Sequence, residues 1–196
     1  MNLRELFPTV IGFEENKNHH KEKHLIKHCK KIKSNIGMGG LNWSSGVYNT
    51  SGTYPIHMDK EFDNLHSWIF AEVYNYMTAI GFTNCNISVS SSWFNFYNQH
   101  DYQEMHNHLP DHDDISAVYF LKSPKGSGNL VFNSHEPVGK NIFNQDNPYT
   151  WKTFEVPPKE GLLVIFKSNM FHQVKQNKSK DTRISFAYNF KIKENR

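Results

Sequence analysis

Residues 103–114, which read QEMHNHLPDHDD, bring three histidines and three aspartates together. His106 and His108 are two positions apart, so on an extended chain both imidazoles point to one side and can bind one ion. His172 lies far along the chain in MFHQV, an unusual setting for a surface histidine. Alone it would indicate a hydrogen-bonded core residue. Together with the HxH pair, it predicts a catalytic metal site with three protein ligands and open coordination positions.

The histidines do not by themselves select the metal or exclude a carboxylate ligand. Imidazoles suit Fe, Zn, Cu or Ni. Asp111, Asp113 or Asp114 could replace His108 as the third ligand, but each follows Pro110, which fixes its own φ and restricts the residue before it. We therefore expect His108 to be the ligand and the three aspartates to form a solvated loop at the mouth of the site.

Arg183 and Ser185 stand two positions apart in RISFAYNF. The surrounding apolar residues predict that the guanidinium faces the interior together with the hydroxyl. A buried arginine needs an anionic partner, and its planar fork suits a carboxylate. The sequence leaves two partners open, a bound carboxylate or an internal Asp or Glu.

Asn95 and Tyr97 are also two positions apart, in ISVSSSWFNFY. On a strand they share a face, and strict alternation puts Ile87, Val89 and Trp93 on that face as well. Both polar side chains could donate hydrogen bonds to a carboxylate, or they could satisfy neighbouring backbone groups.

The elements that must position these side chains change character near residue 84. Before it, we predict a basic surface helix at 19–33 and an amphipathic helix at 59–80, with Asp59 as N-cap and Gly81 just past the end. After it, alternating runs separated by turns, among them VGKN at 138–141, predict strands at 87–97, 115–121, 129–132, 150–156, 161–166, 170–176 and 183–192. This pattern predicts an α+β fold, an antiparallel sandwich or jelly roll with the N-terminal helices packed on one face.

Length and composition limit the classes of protein. At 196 residues we expect a single domain, helical at 1–84 with a jelly-roll core at 85–192. The formal charge of +3 does not imply an obligate nucleic-acid partner, and the absence of an apolar run of about 18 residues argues against a membrane partner. With two cysteines and no apolar signal-peptide core, a cytoplasmic location is expected.

The order of these motifs resembles the 2-oxoglutarate and Fe(II)-dependent oxygenase superfamily. The features that carry the likeness are N-x-Y, the histidine pair, a strand ending in Tyr-Phe-Leu, a Gly-rich turn, GLLVIF, a histidine and finally R-x-S. The pieces GGLNWSSGVYNTSG and SWFNFYNQHDYQEMHNH resemble a bacterial and phage group of these oxygenases. The likeness extends from Leu6 to Phe190.

This resemblance implies a double-stranded β-helix core, a jelly-roll variant, with Fe(II) and 2-oxoglutarate as cofactors. It implies a dioxygenase, a hydroxylase that couples decarboxylation of 2-oxoglutarate to oxidation of a substrate, with molecular oxygen as co-substrate. Carried over position by position, His106 and His172 match the two metal histidines. Four further residues match positions that bind the co-substrate: Asn95, Tyr97, Arg183 and Ser185.

One position departs from the family pattern. The first metal motif normally ends in Asp or Glu, whereas here His108 stands in that place. With a carboxylate ligand, Fe(II) and dianionic 2-oxoglutarate carry one net negative charge, but three neutral imidazoles leave the site neutral. We therefore expect an iron poorer in electrons and slower or altered oxygen activation.

Two other classes of function stay open at the level of sequence. The HxH pair also suits a cupin-like three-histidine metalloenzyme that does not use 2-oxoglutarate, although Arg183 and the N-x-Y spacing argue against it. A non-enzymatic jelly-roll binding module is the other alternative. The substrate could be a peptide, a nucleic acid or a small molecule, and a homodimer is compatible with the sequence.

Overall fold

Two antiparallel sheets dominate the computed structural model, which describes residues 1, 4, 8–39, 43–135 and 150–195. The strands in these ranges are β1 Ile11–Glu15, β2 Tyr48–Asn49, β3 Cys85–Tyr97, β4 Gln103–His106, β5 Ile115–Lys122, β6 Leu130–Asn133, β7 Thr153–Val156, β8 Leu162–Lys167, β9 His172–Val174 and β10 Arg183–Glu194. The larger sheet has the order β1-β8-β5-β10-β3-β2, and the smaller has the order β4-β9-β6-β7. The predicted jelly-roll architecture is confirmed.

Both predicted helices form, α1 at His24–Asn35 and α2 at Asp63–Ala79, but the first five residues of the predicted basic helix, His19–Lys23, form a 3₁₀ helix. A 3₁₀ turn precedes α2, and its N-cap is Asp59, whose carboxylate accepts the Glu61 N–H at 3.0 Å. The chain leaves α2 through Gly81, at a φ of +98°, a conformation that glycine adopts without steric cost.

The helices pack on one face of the larger sheet, as predicted. Buried residues of α1 and α2 share one hydrophobic core with β-strand side chains such as Phe94 and Phe186. A second core, which includes Phe120, Phe132 and Phe166, fills the space between the two sheets. The helix layer therefore covers one side of the larger sheet, while the other side faces the smaller sheet.

The N-terminal part also contributes strands that the sequence pattern does not predict. β1 and β2 pair with β8 and β3 and so flank the larger sheet. β1 carries only partly buried and exposed residues, which explains its weak hydrophobic signal. Three features named from the sequence lie outside the described residues: the predicted turn at 138–141, Leu6, where the likeness to the oxygenases begins, and residues 40–42 within the piece GGLNWSSGVYNTSG.

Because β3 contains a bulge, the prediction that Ile87 and Val89 share a face with Asn95 is wrong. Asn189 pairs with Ser91 but the next residue, Phe190, pairs with Val89, so Ser90 is an extra residue. An extra residue reverses the alternation of side chains. Ile87 and Val89 consequently pack in the helix-side core and do not share the face of Asn95, as strict alternation predicted. Within the described residues, no helix has the length and apolar character needed to span a membrane.

Candidate active site

Two pairs of strands bring the predicted site residues together. β4 and β9 place His106 directly opposite His172. β10 and β3 place Arg183 opposite Tyr97 and Ser185 opposite Asn95. One pocket between the two sheets is lined by all of these side chains and by His108. The described fold therefore gathers the seven predicted site residues around a single cavity.

The three histidines could hold one metal ion. One potential ligand atom from each lies within 4.8 Å of the others, and the described residues contain no other such group of three. The Nδ1 atoms of His106 and His172 lie 2.8 Å from the Glu104 carbonyl and 2.9 Å from the Met170 carbonyl. Because a carbonyl only accepts, both Nδ1 atoms carry the proton, and both Nε2 atoms are left with a free lone pair. This tautomer suits metal ligation.

The backbone holds His108 in a different way from that predicted. β4 ends at His106, and His108 has φ −112° and ψ 20°, so the chain is not extended through it. Its N–H instead donates to the Ser168 carbonyl at 2.9 Å, which ties the segment after β4 to the end of β8. The side chain still reaches the other two histidines because this tie turns the chain toward them.

The aspartates after Pro110 were predicted to form a solvated loop, and this is correct for Asp111, whose side chain is 66% exposed, and for Asp114, which is also exposed. Asp113 is buried and accepts a hydrogen bond from the Ser90 hydroxyl at 2.5 Å. Asp114 accepts the Ile192 N–H at 2.7 Å, so its carboxylate is also engaged away from the histidines. These two side chains fasten the loop to neighbouring strands.

Burial keeps the three imidazoles neutral. Desolvation lowers the pKa of His172 well below its ordinary value, and the neighbouring His106 lowers it further. The same two causes lower the pKa of His108 to about 4. Desolvation also lowers the pKa of His106, against hydrogen bonding to Glu104. At neutral pH the cluster therefore offers unprotonated nitrogens without first losing protons.

Arg183 is fully buried and lacks an acidic partner among the described residues. One of its terminal nitrogens, Nη1, donates to the Gly128 carbonyl at 2.9 Å, while Nε and Nη2 are buried without a partner. Its guanidinium lies 4.8 Å from the Tyr97 ring centre and 4.9 Å from that of Phe120. Of the two partners that the sequence left open, an internal Asp or Glu is thus absent among the described residues. A buried cation with two unused donors fits a carboxylate ligand.

Other polar groups line the same wall of the pocket. Tyr97 donates its hydroxyl proton to the Gln103 side chain at 2.7 Å, and burial raises the pKa of Tyr97 to about 12. The side-chain oxygen of Asn95 is buried without a partner, and Ser185 is buried opposite it. This wall offers both hydrogen-bond donors and acceptors to a ligand held by Arg183.

Sequence reasoning missed Trp43, Gln103 and Asn189, which also line the pocket. The Trp43 ring lies 4.7 Å from that of His106, held there because the Ser44 N–H donates to the Glu104 carboxylate at 2.7 Å. No local sequence pattern predicts that contact. Asn189 could have been found, because strand alternation from Arg183 places it on the same face.

Comparison with known proteins identifies the family. Residues 91–189 match a family model described as "Putative 2OG-Fe(II) oxygenase". No curated protein sequence matches the chain.

Three solved structures illustrate the structural likeness. A prolyl-4-hydroxylase of Pseudomonas putida is 15% identical with a TM-score of 0.66, and the alignment covers 92% of this chain and 91% of that one. The viral collagen prolyl hydroxylase of Paramecium Bursaria Chlorella virus-1, solved with 2-oxoglutarate, is 14% identical with a TM-score of 0.57, covering 91% and 94%. HygX of Streptomyces hygroscopicus, solved with nickel, 2-oxoglutarate and hygromycin B, is 8% identical with a TM-score of 0.62, covering 93% and 82%.

At these identities the structural likeness establishes the double-stranded β-helix fold, and the family model carries the assignment further. Its match spans just over half of the chain and includes the three histidines and Arg183. The chain therefore belongs to the 2OG-Fe(II) oxygenase family and is an enzyme that uses Fe(II), 2-oxoglutarate and molecular oxygen to oxidise a substrate.

Proposed function

We propose that His106, His108 and His172 hold Fe(II) and that Arg183 anchors 2-oxoglutarate in the same pocket. The observation that carries this proposal is the joint geometry. Three neutral histidines with ligand atoms within 4.8 Å of one another share a cavity with a fully buried arginine that has two unused donor nitrogens. A metal-binding group and a carboxylate-binding group in one pocket suit a co-substrate that has a chelating end and a free carboxylate.

Each side chain has a distinct task in this proposal. Fe(II) and 2-oxoglutarate, when bound, supply the oxidising chemistry by coupling decarboxylation of the keto acid to oxidation of a substrate C–H bond. The Nδ1–H bonds of His106 and His172 to backbone carbonyls fix the ring orientations. Arg183 neutralises the far carboxylate, and the surrounding apolar wall excludes water, which strengthens that ion pair.

Asn95, Tyr97 and Ser185 complete the co-substrate site. They occupy the pocket wall on β3 and β10 next to Arg183, and the cross-strand register pairs Ser185 with Asn95 and Arg183 with Tyr97. The side-chain oxygen of Asn95 has no partner, so the amide can rotate by about 180° and direct its NH₂ group, which donates, toward a carboxylate oxygen of the ligand. We propose that these three side chains orient 2-oxoglutarate between Arg183 and the histidines.

We further propose that the whole chain acts as a single catalytic domain, because Trp43 from the N-terminal part lies beside His106. A cytoplasmic location and a homodimer are the sequence-based expectations that accompany the proposal. Light scattering from the purified protein measures the assembly, and fluorescence of a tagged chain in cells measures the location.

An anaerobic titration tests the site. Adding Fe(II) and then 2-oxoglutarate should produce a weak visible charge-transfer band that requires both. His172→Ala should lose stoichiometric iron and the band, because the variant removes a buried ligand that no neighbour replaces. His20→Ala, at an exposed position on the basic surface, is the matched control and should behave as the parent protein does. A His172→Ala variant that retains one iron per chain would refute the metal assignment.

A further inference from the structure

The three histidines differ in what holds the ring nitrogen that faces away from the metal site. For His106 and His172 the Nδ1 partner is a neutral backbone carbonyl. For His108 the nearest polar groups to Nδ1 are side chains, the Asn189 amide at 3.5 Å and the Asp111 carboxylate at 3.8 Å. His108 is thus the histidine of the cluster whose Nδ1 has a carboxylate, and not a backbone carbonyl, nearby.

The local fold keeps this carboxylate close. His108 is the N-cap residue of a 3₁₀ turn, Leu109–Asp111, with a proline in its first positions. The Asp111 N–H donates to the His108 carbonyl at 3.2 Å, so the two residues belong to one short, hydrogen-bonded turn. The proline limits the conformations of that turn. The turn therefore keeps the Asp111 side chain on the same side of the backbone as His108 and close to its ring.

Asp111 has no other side-chain partner among the described residues, in contrast to the two aspartates that follow it. Asp113 is hydrogen bonded to Ser90, and Asp114 to the backbone of Ile192. The group of potential metal ligands also contains no Asp111 oxygen. Its carboxylate is thus free to pair with the His108 ring and lies outside the ligand group.

We propose that Asp111 is a positioning residue: a rotation of its exposed side chain closes the 3.8 Å separation, so that the carboxylate accepts the Nδ1–H of His108 and gives that ligand partial negative charge. This inference rests on the proposed metal site, because it requires His108 to be a ligand. The family normally has a carboxylate at the position of His108. A carboxylate that accepts a proton from a ligating imidazole orients the ring and increases its basicity. Asp111 would thereby supply, through His108 and without contacting the metal, part of the negative charge that a carboxylate ligand would have provided.

The amide of Asn189 fits the same arrangement once it is rotated by about 180°, because the atom that faces His108 Nδ1 at 3.5 Å is its nitrogen, and rotation exchanges the amide oxygen and nitrogen. Its other contacts are to the Ser116 and Ser91 hydroxyls at 2.9 and 3.2 Å, and hydroxyl groups can either donate or accept. With the amide oxygen turned toward His108, Nδ1–H has two acceptors, Asn189 and Asp111. Both acceptors leave Nε2 as the nitrogen that faces the ion.

The test measures metal affinity directly, with Co(II) alone as the probe and isothermal titration as the readout. Asp111→Asn keeps the shape and removes the charge, and it should weaken Co(II) binding by roughly 10- to 100-fold, the range for loss of an outer carboxylate partner. The d–d absorption of bound Co(II) should also shift, which a purely structural role would not cause. Asp111→Glu should recover most of the affinity. Asp181→Asn, an exposed aspartate elsewhere on the surface, is the charge-matched control and should change neither readout.

The outcomes separate this inference from the proposed function. If His108→Ala abolishes Co(II) binding but Asp111→Asn leaves affinity and spectrum unchanged, the role of Asp111 is refuted while the site stands. If His108→Ala retains full binding, the proposed three-histidine site itself fails. If Asp111→Asn abolishes binding as completely as His172→Ala and Asp111→Glu does not rescue it, Asp111 is a direct ligand and the positioning role is wrong.

Discussion

Replacing Arg183 with methionine should separate co-substrate binding from the stability of the fold. The wild-type side chain is fully buried and has one hydrogen bond, from Nη1 to the Gly128 carbonyl, while Nε and Nη2 have no partner. Burial lowers the pKa of Arg183, which reflects the cost of holding a charge away from water. Methionine fills much of the same space without that cost. We therefore expect the ligand-free variant to unfold at the same temperature as wild type or higher.

The effect on 2-oxoglutarate should be large. Truncating one partner of a buried, hydrogen-bonded charge pair costs about 2–5 kcal/mol, which corresponds to roughly 30- to 4,000-fold weaker binding. In wild type, 2-oxoglutarate at 100 times its Kd adds about 2.7 kcal/mol to the free energy of unfolding, or about 5–11 °C in Tm. At the same concentration, a 30-fold weaker variant gains only about 0.9 kcal/mol.

Thermal unfolding of Ni(II)-loaded protein, with and without 2-oxoglutarate, measures both quantities. Lys191→Met is a suitable control because it removes one positive charge from an exposed position on the same strand. It should retain the full ligand-induced shift. An Arg183→Met variant whose Tm rises with 2-oxoglutarate as much as that of wild type would refute the anchoring role. A ligand-free variant destabilised by several kcal/mol would instead indicate that Arg183 is mainly structural.

Three further predictions concern single residues. Gly128→Ala should strongly destabilise the fold and weaken 2-oxoglutarate binding, because Gly128 has φ +84° and an added Cβ would lie 2.0 Å from the Lys175 carbonyl oxygen. Thermal unfolding followed by circular dichroism measures the first effect, and ligand titration measures the second. For Asp59, burial raises the pKa, but hydrogen bonds from His28 and Tyr54 outweigh this effect, so the net pKa is lowered. Asp59→Ala should therefore lower the free energy of unfolding, measured in urea at pH 6, by about 1–3 kcal/mol. This difference from wild type should shrink as the pH falls below about 3.9, the ordinary pKa of Asp, and through the lower pKa of the folded state. His108→Asp should keep or raise the rate of succinate formation from 2-oxoglutarate, and loss of turnover with iron retained would contradict the equivalence of His108 and the family's carboxylate.

Periodicity along a single element was enough to predict much of this protein. The spacing of Leu65, Ile69 and Val73 indicates the buried face of α2, because 3.6 residues per turn bring them to one side. Alternation in β10 puts Arg183 and Ser185 on one face in the same way. Such patterns are local, so the sequence alone predicted most of the elements, the candidate ligands and the resemblance to the oxygenases, but not the short strands β1 and β2.

Contacts between distant segments were decided only by the tertiary structure. The β3 bulge at Ser90 moves Val89 to the helix side, because one extra residue reverses the alternation and only strand pairing reveals it. The hydrogen bond from His108 to Ser168 turns a non-extended segment toward the other histidines, and Trp43 reaches His106 from a loop outside the family match. The absence of an acidic partner for Arg183 among the described residues is likewise a property of packing, since charges near in space are not near in sequence. Local sequence predicts which face a side chain occupies in a regular element, whereas bulges, strand register and the docking of whole elements decide which face is realised and what it contacts.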